Sequence, residues 1–443
     1  MATAAATARE EALRAQDRRI VRLARAAGKP LLVLLLLVGP GILVMLGEND
    51  GPSMLSYATT GASYGVGFFV PFICLTFVMA FVVQEMTVRL GIATQRGHAE
   101  LIFERFGPFW GYFAMLDLFV GNALTLVTEF IAIRAGAAYF GISPFVAVPI
   151  GLMIVITALA ARRYFTWERA VLILSAANLL FIPAALMAHP DASAIVHALG
   201  TWGPLPGGVN AAFIVLVLAN VGATVTPWMI FFQQSAVVDK GLTVKDLPQG
   251  RADTAIGSTL AVLAAIATLI AANPLFTHHV NVANYSGGAD FASALRPYIG
   301  STGAALFSLG IIEAGLVAAM TISTSSAYAF GEVLRRGHSL NLDFATGRPF
   351  YLSAIISTMV AAALVLIPGA PLLAMTLTVN VIATLLMAPA LLFLLLLAND
   401  REIMGGLANH WRSNLAGGII IVVIAAMGTT YGLVVVFPNL VAR

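Results

Sequence analysis

The sequence is poor in charged residues and in cysteine. Only 10% of its 443 residues are Asp, Glu, Lys or Arg, whereas a typical soluble domain has roughly 25%. The one cysteine, Cys74, lies in an apolar run, which excludes a disulfide or a multi-thiolate metal site within one chain. The sequence also lacks an HExxH zinc motif, a P-loop and a GxGxxG motif that opens a strand. These absences argue against an enzyme and against a nucleotide-driven pump, and they imply no cofactor.

Apolar residues take the place of the missing charge. They make up 59% of the chain, and the mean hydropathy is +0.91. Stretches of about 20 apolar residues recur, each long enough to cross the roughly 30 Å hydrocarbon core of a bilayer as a helix. We therefore predict an all-α polytopic membrane protein, embedded in the lipid bilayer, with 11 transmembrane helices. Their predicted ranges are 31–60, 66–90, 108–140, 143–162, 167–188, 209–237, 254–275, 303–332, 349–368, 371–398 and 414–438.

The Lys and Arg residues are distributed unevenly between the loops. With a cytoplasmic N-terminus, 21 of the 24 fall in the N-terminal tail or in the loops that follow even-numbered helices. This asymmetry is the positive-inside pattern. It predicts an integral protein of the plasma (inner) membrane with its N-terminus in the cytoplasm and its C-terminus outside. No basic patch interleaved with aromatic residues indicates a nucleic-acid surface, and we expect a monomer.

Two of the predicted helices contain helix-breaking residues in mid-span. The first is interrupted at "ENDGPS", residues 48–53, and the sixth at "NVGATVTPW", residues 220–228. Interrupted helices at matching positions of two halves are typical of inverted-repeat transporters, in which the two breaks form the binding site near the midplane. Five spans separate the breaks, so the two halves have opposite topology.

The positions of the breaks also predict the division of the chain. We expect a cytoplasmic tail at 1–29, a first inverted repeat of five helices at 30–188 and a second at 189–398. The eleventh helix and the external C-terminus at 399–443 lie outside this 5+5 core.

Asp50 lies at the first break, directly before Gly51 and Pro52. A carboxylate inside the hydrocarbon is costly, so it indicates a functional site or a specific partner. The unwound backbone there exposes carbonyl oxygens, and a carboxylate beside such oxygens suits a hard cation. Asp50 or Ser53 can also cap the second half-helix, and the two interpretations are compatible.

The second break offers fewer charged groups. Its available ligands are the backbone carbonyl near Ala223 and the hydroxyl of Thr226. An ordinary kink at Pro227 is the alternative interpretation.

Four further polar residues within the predicted helices are candidates for the ion pathway or for coupling. Glu48 is either a carboxylate that gathers cations by its field or a solvated or hydrogen-bonded acid. Glu129 either handles protons or pairs with a neighbouring helix. Glu313 in "LGIIEAGLVAAM" and Asn380 in "LTVNVIATLL" are predicted to face the bundle interior.

Four stretches of the chain carry a resemblance to one known family. They are "GPGILVMLGENDGPS" at 39–53, "RLGIATQRGHAEL" at 89–101, "GATVTPWMIFFQQSAVV" at 222–238 and "ANDREIMG" at 398–405. Together they resemble the Nramp divalent-metal transporters along nearly the whole chain. The resemblance implies a 5+5 inverted repeat of the LeuT/APC type, with a divalent metal ion as substrate.

The family's metal ligands are an aspartate and an asparagine of the first motif, an alanine carbonyl and a methionine sulfur. The resemblance places these roles at Asp50, Ser53, Ala223 and Thr226, so the asparagine and the methionine are replaced here. The order of Gly51 and Pro52 is inverted relative to the family motif.

The family's proton-handling positions are also changed. Two sixth-span histidines correspond to Trp228 and Gln233, and the third-span acidic pair corresponds to Leu126 and Glu129, so only the glutamate is retained. The resemblance therefore implies that proton carriers of the family are lost in this chain.

These changes predict a harder substrate than a transition metal. Methionine sulfur favours soft metal ions, and a hydroxyl removes that preference. Because Mg²⁺ dehydrates reluctantly, a site with fewer protein ligands and more water suits it. The pattern is similar to that of the Nramp-related magnesium transporters, a branch that lacks the methionine and is not proton-coupled.

Our leading hypothesis is alternating-access secondary transport of a hard divalent cation, Mg²⁺ or also Mn²⁺, without proton coupling. One alternative is a proton-coupled Mn²⁺/Fe²⁺ importer that uses Glu129. A second is a transporter of the same fold for an organic solute, bound by the broken-helix ends and Trp228. A third is a non-transporting sensor.

Overall fold

The computed structural model describes residues 2–282, 285, 287–367 and 372–436, and these residues form helices and connecting loops without strands. In the first half the helices are α1 (Ala2–Ala26), α2 (Pro30–Leu37), α3 (Pro40–Glu48), α4 (Gly51–Tyr64), α5 (Phe69–Thr94), α6 (His98–Phe106), α7 (Pro108–Tyr139), α8 (Pro144–Leu159), α9 (Tyr164–Ser175) and α10 (Phe181–Met187). A short 3-10 helix, Ala176–Leu180, joins α9 to α10.

The second half continues with nine helices. They are α11 (Ala192–Thr201), α12 (Ala211–Gly222), α13 (Pro227–Lys240), α14 (Leu247–Thr277), α15 (Gly288–Val333), α16 (Arg348–Val365), α17 (Leu372–Asn399), α18 (Arg401–Met404) and α19 (Trp411–Val436).

The helices agree closely with the predicted spans. Within the described residues, nine helices are long and apolar enough to cross a membrane, and α2 with α3 forms a tenth span that is bent by 52°. The predicted fourth span corresponds to α8, which is apolar but has only 16 residues. The count of 11 transmembrane helices therefore stays a prediction. Three predicted features lie outside the described residues: the end of the ninth helix at 368, the start of the tenth at 371 and the C-terminus at 437–443.

The first span is interrupted twice. The predicted break is confirmed at Asn49 and Asp50, which have non-helical backbone angles between α3 and α4. A second bend, which the sequence analysis did not predict, separates α2 from α3 at Val38 and Gly39. In both α3 and α4 a proline occupies the first turn, where its missing N–H has no helical partner to lose.

The break in the sixth span is also confirmed. α12 ends at Gly222, α13 begins at Pro227, and Thr226 between them has an extended conformation (φ −125°, ψ 155°). Pro227 is again in the first turn of the second half-helix. Each broken span thus presents the N-terminus of a half-helix inside the bundle.

The broken helices pack closely against α14. A Cβ on Gly41 would lie 2.5 Å from the backbone nitrogen of Thr254, and one on Gly61 would lie 2.1 Å from the carbonyl oxygen of Leu269. Only glycine allows the backbones of α3 and α4 to approach α14 so closely, as is common between transmembrane helices.

Basic residues of α1, of the end of α13 and of the loop that follows α13 line one cavity, which we call the basic end: Arg18, Arg22, Arg25, Lys240 and Lys245. Arg163 contacts Asp17 of α1 at 2.5 Å, and Arg25 of α1 contacts Asp246 at 2.6 Å. The positive-inside pattern predicts that this end faces the cytoplasm.

The start of α3 is held near the basic end by two buried side chains. Lys240 donates to the carbonyl oxygen of Val38 and to both carboxylate oxygens of Glu168, each at 2.8 Å. Asp253 of α14 accepts from the backbone nitrogens of Gly39, Gly41 and Ile42. The carboxylate of Asp253 therefore serves as the N-terminal cap that α3 lacks locally.

Candidate cation site

Four helices bring carboxylates and half-helix ends together at the two breaks. Thr226, at the start of α13, donates its hydroxyl to Glu48 Oε2 at the end of α3, at 2.6 Å. The backbone nitrogen of Gly51, at the start of α4, donates to Glu129 Oε2 of α7 at 3.0 Å. A Cβ on Gly51 would lie 2.1 Å from the Cβ of Ala132, so glycine is required for α4 to reach α7.

Asp50 has two roles in this arrangement. Its Oδ1 accepts from the backbone nitrogen of Ser53 at 2.8 Å, so Asp50 caps α4, as one of the two interpretations of the sequence predicted. The carboxyl group of Glu129 lies next to Asp50 in the fold, because Glu129 accepts from the backbone nitrogen of Gly51, the residue that follows Asp50. Two buried carboxylates so placed repel each other unless a proton or a cation compensates their charge.

The site carries an excess of negative charge. Glu48, Asp50 and Glu129 are each at most 1% exposed and interact electrostatically with one another. In the described part of the chain no Lys, Arg or His forms an ion pair with any of them. One oxygen each of Glu48 and Glu129 also has no hydrogen-bond partner. Buried charge of this kind requires a compensating cation or protons.

The carboxylates do not form a compact cage. Among the described residues, no group of three His, Cys, Asp or Glu side chains has the spacing of a metal site. An ion here would take its oxygens from a mixture of carboxylate, hydroxyl and backbone groups, which is usual for hard divalent cations. The hydroxyl of Ser53 is buried and unpartnered, so it is one available ligand.

The five residues predicted to bind metal are therefore placed as follows. Asp50, Gly51 and Ser53 form the start of α4, and Thr226 contacts the same junction through Glu48. The carbonyl oxygen of Ala223 accepts from the hydroxyl of Tyr57 at 2.8 Å, which leaves its second lone pair for an ion.

The residues predicted to line the ion pathway have different surroundings in the structure. Trp228 lies beside Glu48, and its indole N–H has no hydrogen-bond partner, so it belongs to the site. Gln233 instead donates to Thr254 of α14 at 2.9 Å. Asn380 of α17 donates to Ser56 of α4 at 3.0 Å.

Glu313 is linked to the first break through a second polar cluster. Its Oε2 accepts from the side-chain amide of Asn178 at 3.4 Å, and the same amide donates to the carbonyl oxygen of Asn49.

The sequence analysis missed several buried polar residues. Tyr57 joins α4 to the second break through Ala223 and Thr224. Gln84 of α5 is fully buried, and neither atom of its amide has a partner. The sequence feature that could have identified Gln84 is an amide side chain that follows a long apolar run.

Most of the chain matches one known protein family. The family described as natural resistance-associated macrophage protein-like, Nramp, matches residues 41–434. The chain belongs to the Nramp family. This confirms the resemblance found in its motifs.

Individual Nramp relatives cover most of the chain. The chain is 25% identical over 412 residues to the divalent metal cation transporter MntH of Yersinia enterocolitica, covering 89% of this chain and 94% of the relative. It is 26% identical over 414 residues to MntH of Erwinia tasmaniensis, covering 88% and 92%. These relatives are transporters and not enzymes, for which a metal ion is cargo and not a cofactor.

Solved structures confirm the fold. A manganese transporter of Eremococcus coleocola superposes with a TM-score of 0.71 at 19% identity, covering 89% of this chain and 86% of that one. A Na⁺-coupled sialic acid symporter superposes with a TM-score of 0.52 at 14% identity, covering 88% of each chain. The chain thus has the predicted LeuT-like helical fold.

Proposed function

We propose that this Nramp-family protein is a secondary transporter that moves a hard divalent cation, Mn²⁺ or Mg²⁺, by alternating access. The observation that carries the proposal is the cluster of three buried carboxylates, Glu48, Asp50 and Glu129, at the junction of two broken helices. A divalent cation would neutralise two of these charges, and the third carboxyl would keep a proton.

The identity of the ion is supported by two kinds of observation. Relatives named as divalent metal cation transporters and a structural neighbour named as a manganese transporter support a divalent metal, including Mn²⁺. The preference for a hard ion rests on this chain's own residues, because Ser53 and Thr226 offer hydroxyl oxygens and no sulfur.

Transport without a proton is the second part of the proposal. Leu126, Trp228 and Gln233 supply no titratable group at three positions where the resemblance implies proton carriers. A proton-coupled Mn²⁺/Fe²⁺ importer is the second candidate, favoured by the retained Glu129, which is buried and bonded to the backbone directly after Asp50.

The test is uptake of Mg²⁺, Mn²⁺ and Cd²⁺ into proteoliposomes with internal pH recorded. Asp50→Asn keeps an oxygen that accepts from Ser53 but removes the charge, so we expect uptake to fall by at least about tenfold. Asp117→Asn is the matched control, because Asp117 is a half-buried carboxylate about 18 Å along α7 from Glu129, and it should transport normally.

Three outcomes would change the proposal. Unaltered uptake by Asp50→Asn would remove Asp50 from the site. A strong Cd²⁺ preference, or internal acidification that follows metal uptake, would favour the proton-coupled importer. If none of the three ions moves, divalent transport is wrong.

A further inference from the structure

A second buried polar cluster lies beside the divalent site and is not explained by it. It consists of Glu313 of α15, Asn178 of the 3-10 helix between α9 and α10, and Asn49 of the first break. Glu313 is 4% exposed, and the two asparagines are fully buried. Three separate parts of the chain thus place polar side chains together inside an apolar bundle.

The hydrogen bonds of the cluster use every amide hydrogen of the two asparagines. Asn178 Nδ2 donates to the carbonyl oxygen of Asn49 at 3.2 Å and to Glu313 Oε2 at 3.4 Å. Asn49 Nδ2 donates to Asn178 Oδ1 at 3.0 Å and to the carbonyl oxygen of Ala261 at 2.8 Å. Each NH₂ group has two hydrogens, so no donor remains within the pair.

Two acceptor atoms are left without any donor. They are Glu313 Oε1 and Asn49 Oδ1, both buried and unpartnered. Both belong to side chains that hydrogen-bond to Asn178 through their other polar atom. An excess of buried oxygen acceptors is costly unless a cation, a proton or another hydrogen-bond donor satisfies it, and the ionised carboxylate of Glu313 favours a positive species.

The surrounding charges do not supply that positive species. Among the described residues no Lys, Arg or His forms an ion pair with Glu313. On the neighbouring helices α3, α4 and α7 the charged groups close to the first break are Glu48, Asp50 and Glu129, all acidic. The one basic residue of these three helices, Arg134 of α7, donates to the carbonyl oxygen of Val365 of α16 at 2.8 Å. The backbone of α15 touches α7 two residues from Glu313, where a Cβ on Gly315 would lie 2.7 Å from the carbonyl oxygen of Glu129.

We propose that Glu313, Asn178 and Asn49 form a second cation site, separate from the divalent site, for a small monovalent cation, either Na⁺ or a proton. A single carboxylate neutralises one positive charge, so a divalent ion would leave an uncompensated charge in the bundle. Carboxylate and amide oxygens are suitable ligands for a hard cation.

Occupancy of this site would act on the divalent site through Asn49. Asn49 directly precedes Asp50, and its side chain and its carbonyl oxygen are both held within the cluster. A cation that fixes Asn49 therefore fixes the backbone that presents Asp50, so the two affinities are coupled. This consequence rests on the proposed function, whereas binding of the monovalent cation does not.

The direct test measures thermal unfolding of the full-length purified protein with chelator and no divalent ion. NaCl is compared with choline chloride at constant ionic strength, across pH 5.5 to 8.5, a range chosen roughly around neutrality. The proteins are wild type, Glu313→Gln and the control Asp117→Asn, which removes another intramembrane carboxylate.

The two possible cations, Na⁺ and a proton, predict different results. If Na⁺ binds, it raises the midpoint of wild type and Asp117→Asn by a few degrees in a saturable manner, and Glu313→Gln does not respond. If a proton binds, Na⁺ has no effect, and wild type loses stability relative to Glu313→Gln as pH rises, because the glutamine mimics the protonated acid.

The proposal is overturned if Glu313→Gln and wild type respond identically to both Na⁺ and pH. If Glu313→Gln does not fold, Glu313→Asp replaces it, because it keeps the charge and shortens the side chain. Its half-maximal Na⁺ concentration or its pH response must then differ from wild type, and an unchanged value overturns the proposal.

Transport separates this inference from the proposed function. Mn²⁺ uptake by wild type should depend on Na⁺ or on pH, and that dependence should be lost in Glu313→Gln. If no divalent ion moves in wild type, the proposed function fails, but the unfolding measurement still decides whether the second site binds a cation.

Discussion

Thr226 and Glu48 are 178 residues apart in the sequence, yet their side chains form a 2.6 Å hydrogen bond at the two breaks. The hydroxyl of Thr226 is thus bonded to Glu48. Glu48 therefore belongs to the candidate site together with Asp50. The hydroxyl of Thr226 stabilises one oxygen of Glu48, and the other oxygen has no partner. The threonine to which we attribute the proposed ion preference therefore also bonds to a carboxylate of the candidate site.

The first prediction concerns this threonine. Thr226→Met introduces a soft sulfur ligand, so the ratio of Cd²⁺ to Mg²⁺ uptake should rise by about tenfold, which is about 1.4 kcal/mol of differential binding. Proteoliposome uptake of the two ions measures the ratio. Thr226→Val is the control, because it removes the hydroxyl without adding sulfur. Equal ratios in the two variants would show that residue 226 does not contact the ion.

At the scale of elements, α3 is held by long-range contacts at its N-terminal end. Asp253 of α14 accepts from its first backbone nitrogens. Lys240 of α13 links the preceding carbonyl of Val38 to Glu168 of α9. Lys240 and Glu168 are 7% and 0% exposed, so their charges depend on each other. If the start of α3 moves, it must therefore either break its contact with the Lys240–Glu168 ion pair or move together with that pair.

The second prediction concerns this ion pair. Lys240→Met leaves Glu168 buried without its cation, and we expect a loss of about 3–5 kcal/mol of stability. The double variant Lys240→Met/Glu168→Met should recover most of that loss, because no uncompensated charge remains. Thermal midpoints of the purified single and double variants test the expectation. Additive losses in the double variant would contradict it.

At the scale of the whole molecule, stability at low pH depends on a histidine outside the membrane-spanning helices. His98, at the start of α6, is fully buried, and its Nδ1 lies 2.9 Å from Gln234 Oε1. Burial lowers the pKa of His98 from its usual 6.5 to about 4. The folded protein therefore keeps this imidazole neutral at pH values where the unfolded chain protonates it.

The third prediction follows from the sign of this shift. Above pH 6.5 the imidazole is neutral in both states and costs nothing, whereas between 6.5 and about 4 the unfolded state binds the proton and folding stability falls. The loss should amount to a few kcal/mol at most. His98→Gln should flatten the thermal midpoint between pH 7 and pH 5, a window chosen roughly to bracket this range. The exposed His410→Gln should behave as wild type does, and the same slope in all three proteins would exclude His98 as the cause.

Much of the architecture could be predicted because it depends on local composition. Long apolar runs have to form helices in a bilayer, since every backbone polar group needs an internal partner there. Proline and glycine at 51–52 and near 222–227 open the helices wherever the rest of the chain lies. The bend at Val38 was missed although "VGP" at 38–40 is a similar signal, because a bend near a helix end leaves the apolar run intact.

The amino-acid sequence by itself determined the helical membrane fold, the two breaks, the position of Asp50 and the Nramp motifs. Only the tertiary structure decided which side chains meet: Thr226 with Glu48, Gly51 with Glu129, and Glu313 with Asn178. The reason is physical. Helix formation and helix breaking act over a few neighbouring residues, whereas these contacts join residues that are 78 or more positions apart and depend on how whole helices pack.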